Sequence, residues 1–211
     1  MRGIYAIVDV ETLTRAKIDP VVFAAQLVVA RPAALQLRAK TSTAREILRL
    51  LEALRPICSS AGIPLVNNDR VDLALATGCD MVHLGQDDLP IEAARRLDPK
   101  LGIGVSTHTP EQLALALKSR PTYVAYGPVF ATASKENHDP VVGLEGLAQA
   151  QRIISASDAP HTPLVAIGGI SAKNAHSVIA QSDMIAVIGA LVSGDPASQL
   201  HALELSLGGQ S

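Results

Sequence analysis

A chain of 211 residues suits one domain and leaves little room for an appended module. Hydrophobic residues make up 48% of it but aromatics only 2%, so burial must come from Ala, Val, Ile and Leu packed between layers rather than from large rings. A formal net charge of −2 with both signs interspersed argues against a nucleic-acid footprint and a polybasic membrane patch, so any anion site has to be local.

Met1-Arg2-Gly3 runs into an apolar stretch, Ile4 to Val8, that is too short for a signal-peptide core and lacks a cleavage site. No run approaches the roughly 18 uninterrupted apolar residues of a membrane span. From the start, short apolar runs alternate with longer amphipathic stretches. Strands are expected over 3–9, 33–38, 63–68, 80–84, 101–106, 122–127, 163–168 and 184–188. Helices are expected over 43–61, 90–97, 110–118, 144–155 and 171–180. About eight βα repeats are enough to close an α/β (β/α)8 TIM barrel. A doubly wound open sheet gives the same alternation, because local pattern does not report whether the first and last strands meet. The strand count and the placing of the polar residues favour the barrel. The longest connection, 129–142, carries Thr132, Ser134, Lys135, His138 and Asp139 with no apolar period, as functional lids and disordered loops do. No linker or charge block divides the chain, so 1–211 reads as one barrel domain with a frayed tail over 207–211. Cys58 and Cys79 form no CxxC pattern and sit in apolar surroundings, as reduced packing thiols of a cytoplasmic protein would.

Chemistry-bearing residues gather at the ends of the expected strands. In Gln36-Leu37-Arg38-Ala39-Lys40 the polar residues recur at every second position, so they share one side while Leu35 and Leu37 take the other. In a barrel that side is the interior, where Arg38 and Lys40 need an anionic partner. Alternatively, Arg38 pairs with a structural carboxylate and Lys40 already lies in a solvated loop. Asn68-Asp69-Arg70 follows the third strand, and His83-Leu84-Gly85-Gln86-Asp87-Asp88 closes the fourth. Asp69 and Asp88 could hold a Mg²⁺ that bridges diphosphate oxygens, since Mg²⁺ takes one or two carboxylates and leaves the rest to water and phosphate. Helix capping is equally open, because each aspartate precedes a helix. Gly102 and Gly104 share a face with Ser106, which lets a ligand or another backbone approach, and Ser106 could then donate to a phosphate oxygen. His108 reads as satisfying local structure. Gly168-Gly169-Ile170-Ser171 closes the seventh strand and opens a helix, and Gly189 follows the eighth after Ile188, the usual place of a monophosphate site in barrels. Those glycines could also simply make a tight turn. Thr132, Ser134 and Lys135 could clamp a diphosphate from the long loop.

Together Gln36-Leu37-Arg38-Ala39-Lys40, Asn68-Asp69-Arg70, His83-Leu84-Gly85-Gln86-Asp87-Asp88, Gly104-Val105-Ser106, Gly127-Pro128-Val129-Phe130 and Ala166-Ile167-Gly168-Gly169-Ile170 resemble the thiamine phosphate synthase family. The resemblance runs in order from Ile4 to about Ala190. It implies a barrel transferase, usually a homodimer, that joins 4-amino-5-hydroxymethyl-2-methylpyrimidine diphosphate to hydroxyethylthiazole phosphate and releases diphosphate with Mg²⁺. By matching position, Gln36 would hold the aminopyrimidine, and Arg38, Lys40, Asn68, Ser106 and Lys135 the diphosphate. Asp69 and Asp88 would hold the Mg²⁺. Gly168, Gly169, Ile188 and Gly189 would hold the thiazole phosphate, and Thr132 and Ser134 would line the site. The implied reaction needs leaving-group stabilisation, by Arg38, Lys40, Ser106 and Lys135, rather than a general base. Two positions depart from the family: Ser134 stands where threonine is common, and Gly189 where a serine often ends the last strand. Losing that hydroxyl costs about 1 kcal/mol of phosphate affinity. Residues 136–141 match the family poorly.

Two alternatives remain beside this resemblance. A thiazole tautomerase-type paralogue shares the barrel but typically lacks the metal-binding acids and carries a histidine where this chain has Pro128. A non-catalytic phosphate-ligand-binding barrel would not need the full set of charged rim residues.

Overall fold

Eight short strands carry the structure, a computed structural model that describes residues 1–132 and 140–208. They are β1 (Gly3–Asp9), β2 (Ala34–Arg38), β3 (Leu65–Asn68), β4 (Met81–Leu84), β5 (Gly102–Thr107), β6 (Tyr123–Tyr126), β7 (Leu164–Ile167) and β8 (Met184–Val187). All neighbours pair in parallel, and β1 pairs with β8 from Gly3↔Met184 to Ala6↔Val187. The sheet is therefore a closed barrel in chain order, and the open-sheet alternative falls away. The widest difference from expectation is at β3, expected from 63 and observed from Leu65.

The surrounding helices are α1 (Val10–Ala16), α2 (Pro20–Val29), α3 (Ala44–Ala61), α4 (Val71–Thr77), α5 (Ile91–Leu97), α6 (Pro110–Lys118), α7 (Gly143–Ser155), α8 (Ala175–Ile179) and α9 (Pro196–Leu207). Helix α3 shows why these segments are helical. Ile47, Leu51, Leu54 and Cys58 recur on one face and are buried. Thr43 and Glu46 form a reciprocal capping box at its start, and Gly62 ends it at φ 68°. Helix α8 is shorter than the 171–180 expected. Asn174 accepts from the Ser171 N–H at 2.8 Å and donates to the Gly169 carbonyl at 3.0 Å, so its side chain competes with the first helical turn. Helix α9 runs to Leu207, and 209–211, within the stretch expected to fray, lie outside the described residues. Among the described residues no helix is long and apolar enough to cross a membrane.

Strand alternation divides the apolar side chains into two cores. Ile4, Ala6, Val8, Leu35 and Leu37 face the helices. Tyr5, Ile7, Ala34, Val66, Met81, Tyr123, Ala125, Val165, Met184 and Ala186 fill the lumen. Gly102 and Gly104 serve this lumen rather than a ligand, which corrects the sequence-based expectation. A Cβ on Gly104 would stand 1.9 Å from Tyr123 Cζ, and one on Gly102 2.4 Å from Met81 Cγ.

The loops after β6 and β7 lie against each other. Val129 N–H donates to the Ile167 carbonyl at 2.8 Å and Phe130 N–H to that of Gly168 at 3.1 Å. Gly168 has φ 106°, and a Cβ there would stand 2.6 Å from Pro128 Cβ. Gly168→Ala is therefore expected to lose about 2–4 kcal/mol, combining backbone strain with a clash against the Pro128 ring and backbone. Urea unfolding checks it: the midpoint should drop with an unchanged slope, and a wild-type midpoint would contradict this loop contact.

Candidate active site

Because every strand is parallel, all eight carboxyl ends open on one rim, the face on which barrel enzymes build their sites. Gln36 is 2% exposed and donates from Nε2 to Asn68 Oδ1 at 3.1 Å, linking β2 to β3. Arg38 stands opposite Asp9 in the ladder, and its Nη1 donates to Asp9 Oδ1. The same nitrogen lies 3.7 Å from Glu11 Oε2. Asp9 also accepts from the Thr12 backbone and hydroxyl, and so caps α1. Glu11 Oε1 accepts from Thr41 N at 2.7 Å and Thr41 Oγ1 at 3.0 Å, anchoring the loop after β2. Arg38 is thus partnered by structural carboxylates. Lys40 lies exposed in that loop and reaches Asp69 Oδ2 at 2.8 Å.

Asp69 follows β3 in a left-handed conformation, φ 63°, which aspartate tolerates better than most residues. Its N–H donates to the His83 carbonyl at 2.8 Å, fixing it against β4. Asp88 Oδ2 accepts from Gly85 N at 2.6 Å and closes the loop after β4. Neither aspartate caps a helix: the residues before α4 and α5 are Arg70 and Pro90, and no side chain caps either. Helix capping therefore does not account for these acids. Burial pushes the Asp69 carboxyl above the usual aspartate range, Lys40 pulls it back, and neighbouring Asp88 pushes it up again. Two carboxylates facing each other in this way suit a hard cation. Among the described residues, no group of three or more His, Cys, Asp or Glu gathers to hold a metal. A cation at this pair would complete its shell with water and ligand oxygens, as Mg²⁺ does.

Ser106, next to last in β5, is half-buried, and its Oγ lies 2.8 Å from His83 Nε2. His83 Nδ1 is 2.9 Å from the Tyr123 hydroxyl, which is 2.7 Å from that of Tyr5. Gln86 Nε2 donates to the Ser106 carbonyl at 2.5 Å. His108 serves local structure as expected, with Nδ1 at 2.7 Å from the Gly127 carbonyl. The thiols behave as packing groups: burial pushes Cys58 up to about 11 and raises Cys79 as well.

Across the rim, Gly168 and Gly169 follow β7, and Ile188 and Gly189 follow β8. Gly169 has φ 63°, and a Cβ there would stand 2.6 Å from the Ala131 carbonyl oxygen, so the glycine pair admits the loop after β6. No helix opens directly behind it, since α8 begins at Ala175. After β8 a single 3₁₀ turn, Gly189–Leu191, begins at once, the kind of short extra helix that barrels use at phosphate sites. Thr132 lies in the loop after β6, while Ser134 and Lys135 lie outside the described residues. The ends of that loop are joined by Val142 N–H donating to the Pro128 carbonyl at 2.8 Å.

Sequence reasoning missed Asp9, Glu11, Tyr5 and Tyr123. Asp9 was accessible as an acid at the carboxyl end of a strand, the position that drew attention to the other rim residues. Tyr5 and Tyr123 were accessible only through their rarity, as two of three tyrosines in the chain.

The chain is similar to known proteins over most of its length. The family model described as thiamine monophosphate synthase matches residues 4–191. A thiamine-phosphate synthase of Koribacter versatilis is 45% identical over 204 residues, covering 90% of this chain and 88% of the relative. One from Leptospira biflexa is 42% identical over 200 residues, covering 92% and 91%. A solved structure of thiamine phosphate pyrophosphorylase from Pyrococcus furiosus superposes with a TM-score of 0.84 at 33% identity, covering 98% of this chain and 95% of that one. The chain belongs to the thiamine monophosphate synthase family.

Proposed function

We propose that the rim joins 4-amino-5-hydroxymethyl-2-methylpyrimidine diphosphate to hydroxyethylthiazole phosphate, giving thiamine phosphate and diphosphate. The observation that carries this reading is the Asp69 and Asp88 pair with Lys40 on Asp69, while Arg38 ends the neighbouring strand β2, so that acids and cations stand on adjacent strand ends. A monophosphate binder has no use for that combination, and a tautomerase none for the acids. The exocyclic carbon to oxygen bond breaks, its electron pair leaves with diphosphate, and the pyrimidine ring stabilises the resulting cation. The thiazole nitrogen then donates its lone pair to that carbon.

Within this reading Gln36, held by Asn68, presents its amide to the aminopyrimidine. Arg38, Lys40, Asn68, Ser106 and Lys135 stabilise the departing diphosphate, with Thr132 and Ser134 lining the same side. Gly168, Gly169, Ile188 and Gly189 receive the thiazole phosphate through backbone N–H groups. Asp69 and Asp88 hold Mg²⁺, which supplies charge neutralisation for diphosphate oxygens. No residue acts as a general base, because the reaction transfers no proton at the bond-forming step. Positioning and leaving-group stabilisation carry it. One barrel domain acting as a cytoplasmic homodimer completes the reading, supported by the family resemblance and by two reduced, buried cysteines.

The purified protein should release diphosphate only when both substrates and Mg²⁺ are present, with a thiazolium product in equal amount. Release from the pyrimidine alone, or silence with all three, would contradict the synthase reading. Asp69→Asn and Asp88→Asn should each lower the rate at least about a hundredfold, and near-normal rates in both would remove the metal assignment.

Proton and metal compete for Asp69. Its carboxyl is raised, so it must lose its proton at a higher pH than an ordinary aspartate before it can bind a cation. Lys40→Met removes a lowering neighbour and should drive the carboxyl further up. Asp88→Asn removes a raising neighbour and should bring it down. Carbon-13 titration of the ligand-free variants checks both directions, and shifts of the same sign would contradict the geometry.

A further inference from the structure

Four side chains form one hydrogen-bonded line from the barrel lumen to the rim: Tyr5, Tyr123, His83 and Ser106. They come from four strands, β1, β6, β4 and β5. Tyr123 and His83 do not sit on neighbouring strands, since β5 lies between them. Gly104, opposite both in the two ladders, leaves the gap that the Tyr123 ring crosses. The His83 and Tyr123 rings lie nearly parallel, 15° apart with centroids at 5.7 Å.

The direction of the hydrogen bonds follows from the buried end. Tyr5 is 2% exposed, and its hydroxyl meets one partner among the described residues, the Tyr123 hydroxyl. A buried O–H keeps its proton satisfied, so Tyr5 donates to Tyr123. Tyr123 then has its own proton left for His83 Nδ1. With Nδ1 accepting, the neutral imidazole carries its hydrogen on Nε2 and donates to Ser106 Oγ. Ser106 accepts there, and its own proton points elsewhere. The reverse order would have Ser106 donate to Nε2 and turn only lone pairs to the barrel mouth, the wrong polarity for an anion.

We propose that His83 is a positioning residue which, set by Tyr123 and Tyr5, fixes the Ser106 hydroxyl as a donor to an anionic oxygen above β5. The proposal rests on the reading of the rim as a diphosphate site and adds how one donor is oriented there. His83 touches no reacting atom. Its effect passes through Ser106, so the two residues act as one unit.

Nitrogen-15 NMR of the ligand-free full chain, labelled at histidine and assigned with a His83→Gln variant, reads the tautomer directly. The Nε2–H form is expected; the Nδ1–H form or an imidazolium overturns the proposal. Calorimetric binding of inorganic diphosphate with Mg²⁺ gives the second readout. Ser106→Ala and His83→Leu should each weaken binding about tenfold, the double variant no more than the weaker single, and His83→Gln, which keeps a donor, should recover most of the loss. Losses that multiply to about a hundredfold would overturn the coupling. If His83→Leu does not fold, the tautomer alone decides. Wild-type protein that binds no diphosphate would instead overturn the reading of the rim, whichever tautomer His83 shows.

Discussion

Closure of the sheet by pairing of β1 with β8 is the constraint on which everything at the rim depends. Eight parallel strands in a ring bring eight carboxyl ends to one circle, so residues far apart in the chain become neighbours at fixed registers. Asp9 meets Arg38, Asn68 meets His83, and Ser106 meets Ala125 because the ladders set those pairs. Register is secured by the apolar pattern itself. A slip of one residue in β2 would turn Leu35 and Leu37 into the lumen and push Gln36 and Arg38 among the helices. The polar rim is thus held in place by the burial of its apolar neighbours.

The rim also keeps its charges matched. Arg38 and Lys40 are held by Asp9 and Asp69, consistent with a chain whose net charge is close to zero. The two pairs differ in kind. Asp9 is 2% exposed and capped into α1, so its pair with Arg38 is a fixture, and removing either partner strands a buried charge. Both acids near Arg38 engage the same nitrogen, Nη1, and a guanidinium has donors on two others. Lys40 is 48% exposed at its side chain, and its pair with Asp69 is weakened by solvent. An arriving anion and cation can therefore divide that pair, taking Lys40 and Asp69 respectively, at small cost. Arg38 offers a rigid donor set and Lys40 a movable one.

Much of this was legible in the sequence, for physical reasons that can be named. Strands of four to seven residues with two-residue alternation announce themselves, and Gln36 and Arg38 were found because polar residues inside such a run are costly without a purpose, whereas Asn68 was found through the family resemblance. The helix after β7 was overdrawn because the Asn174 side chain, not periodicity, decides where it begins. The glycines of β5 were misassigned for a related reason. Sequence shows that a side chain is missing but not which neighbour uses the space, and here the neighbours are Tyr123 and Met81. The pairing of Arg38 with Asp9 required the register of β1 against β2, which local pattern does not carry.

The lumen of this barrel could be filled by apolar side chains alone, as Met81, Met184 and Val165 fill part of it. Two tyrosines instead bring hydroxyls into a site where an unpaired polar group costs roughly 1–3 kcal/mol. Each ring has room because small residues flank it: Ala34 and Ala186 stand opposite Tyr5, and Gly104 opposite Tyr123. Packing accounts for the rings but not for the oxygens. Phenylalanine would fill the same volume and avoid the desolvation. What the oxygens add is an ordered chain of donors and acceptors that begins in the dry lumen and ends at a hydroxyl on the rim. The part of the barrel that excludes water is therefore also the part that sets polarity above it. A reaction driven by stabilising a departing anion needs its donors already oriented, because reorienting them during bond cleavage would return the cost to the barrier.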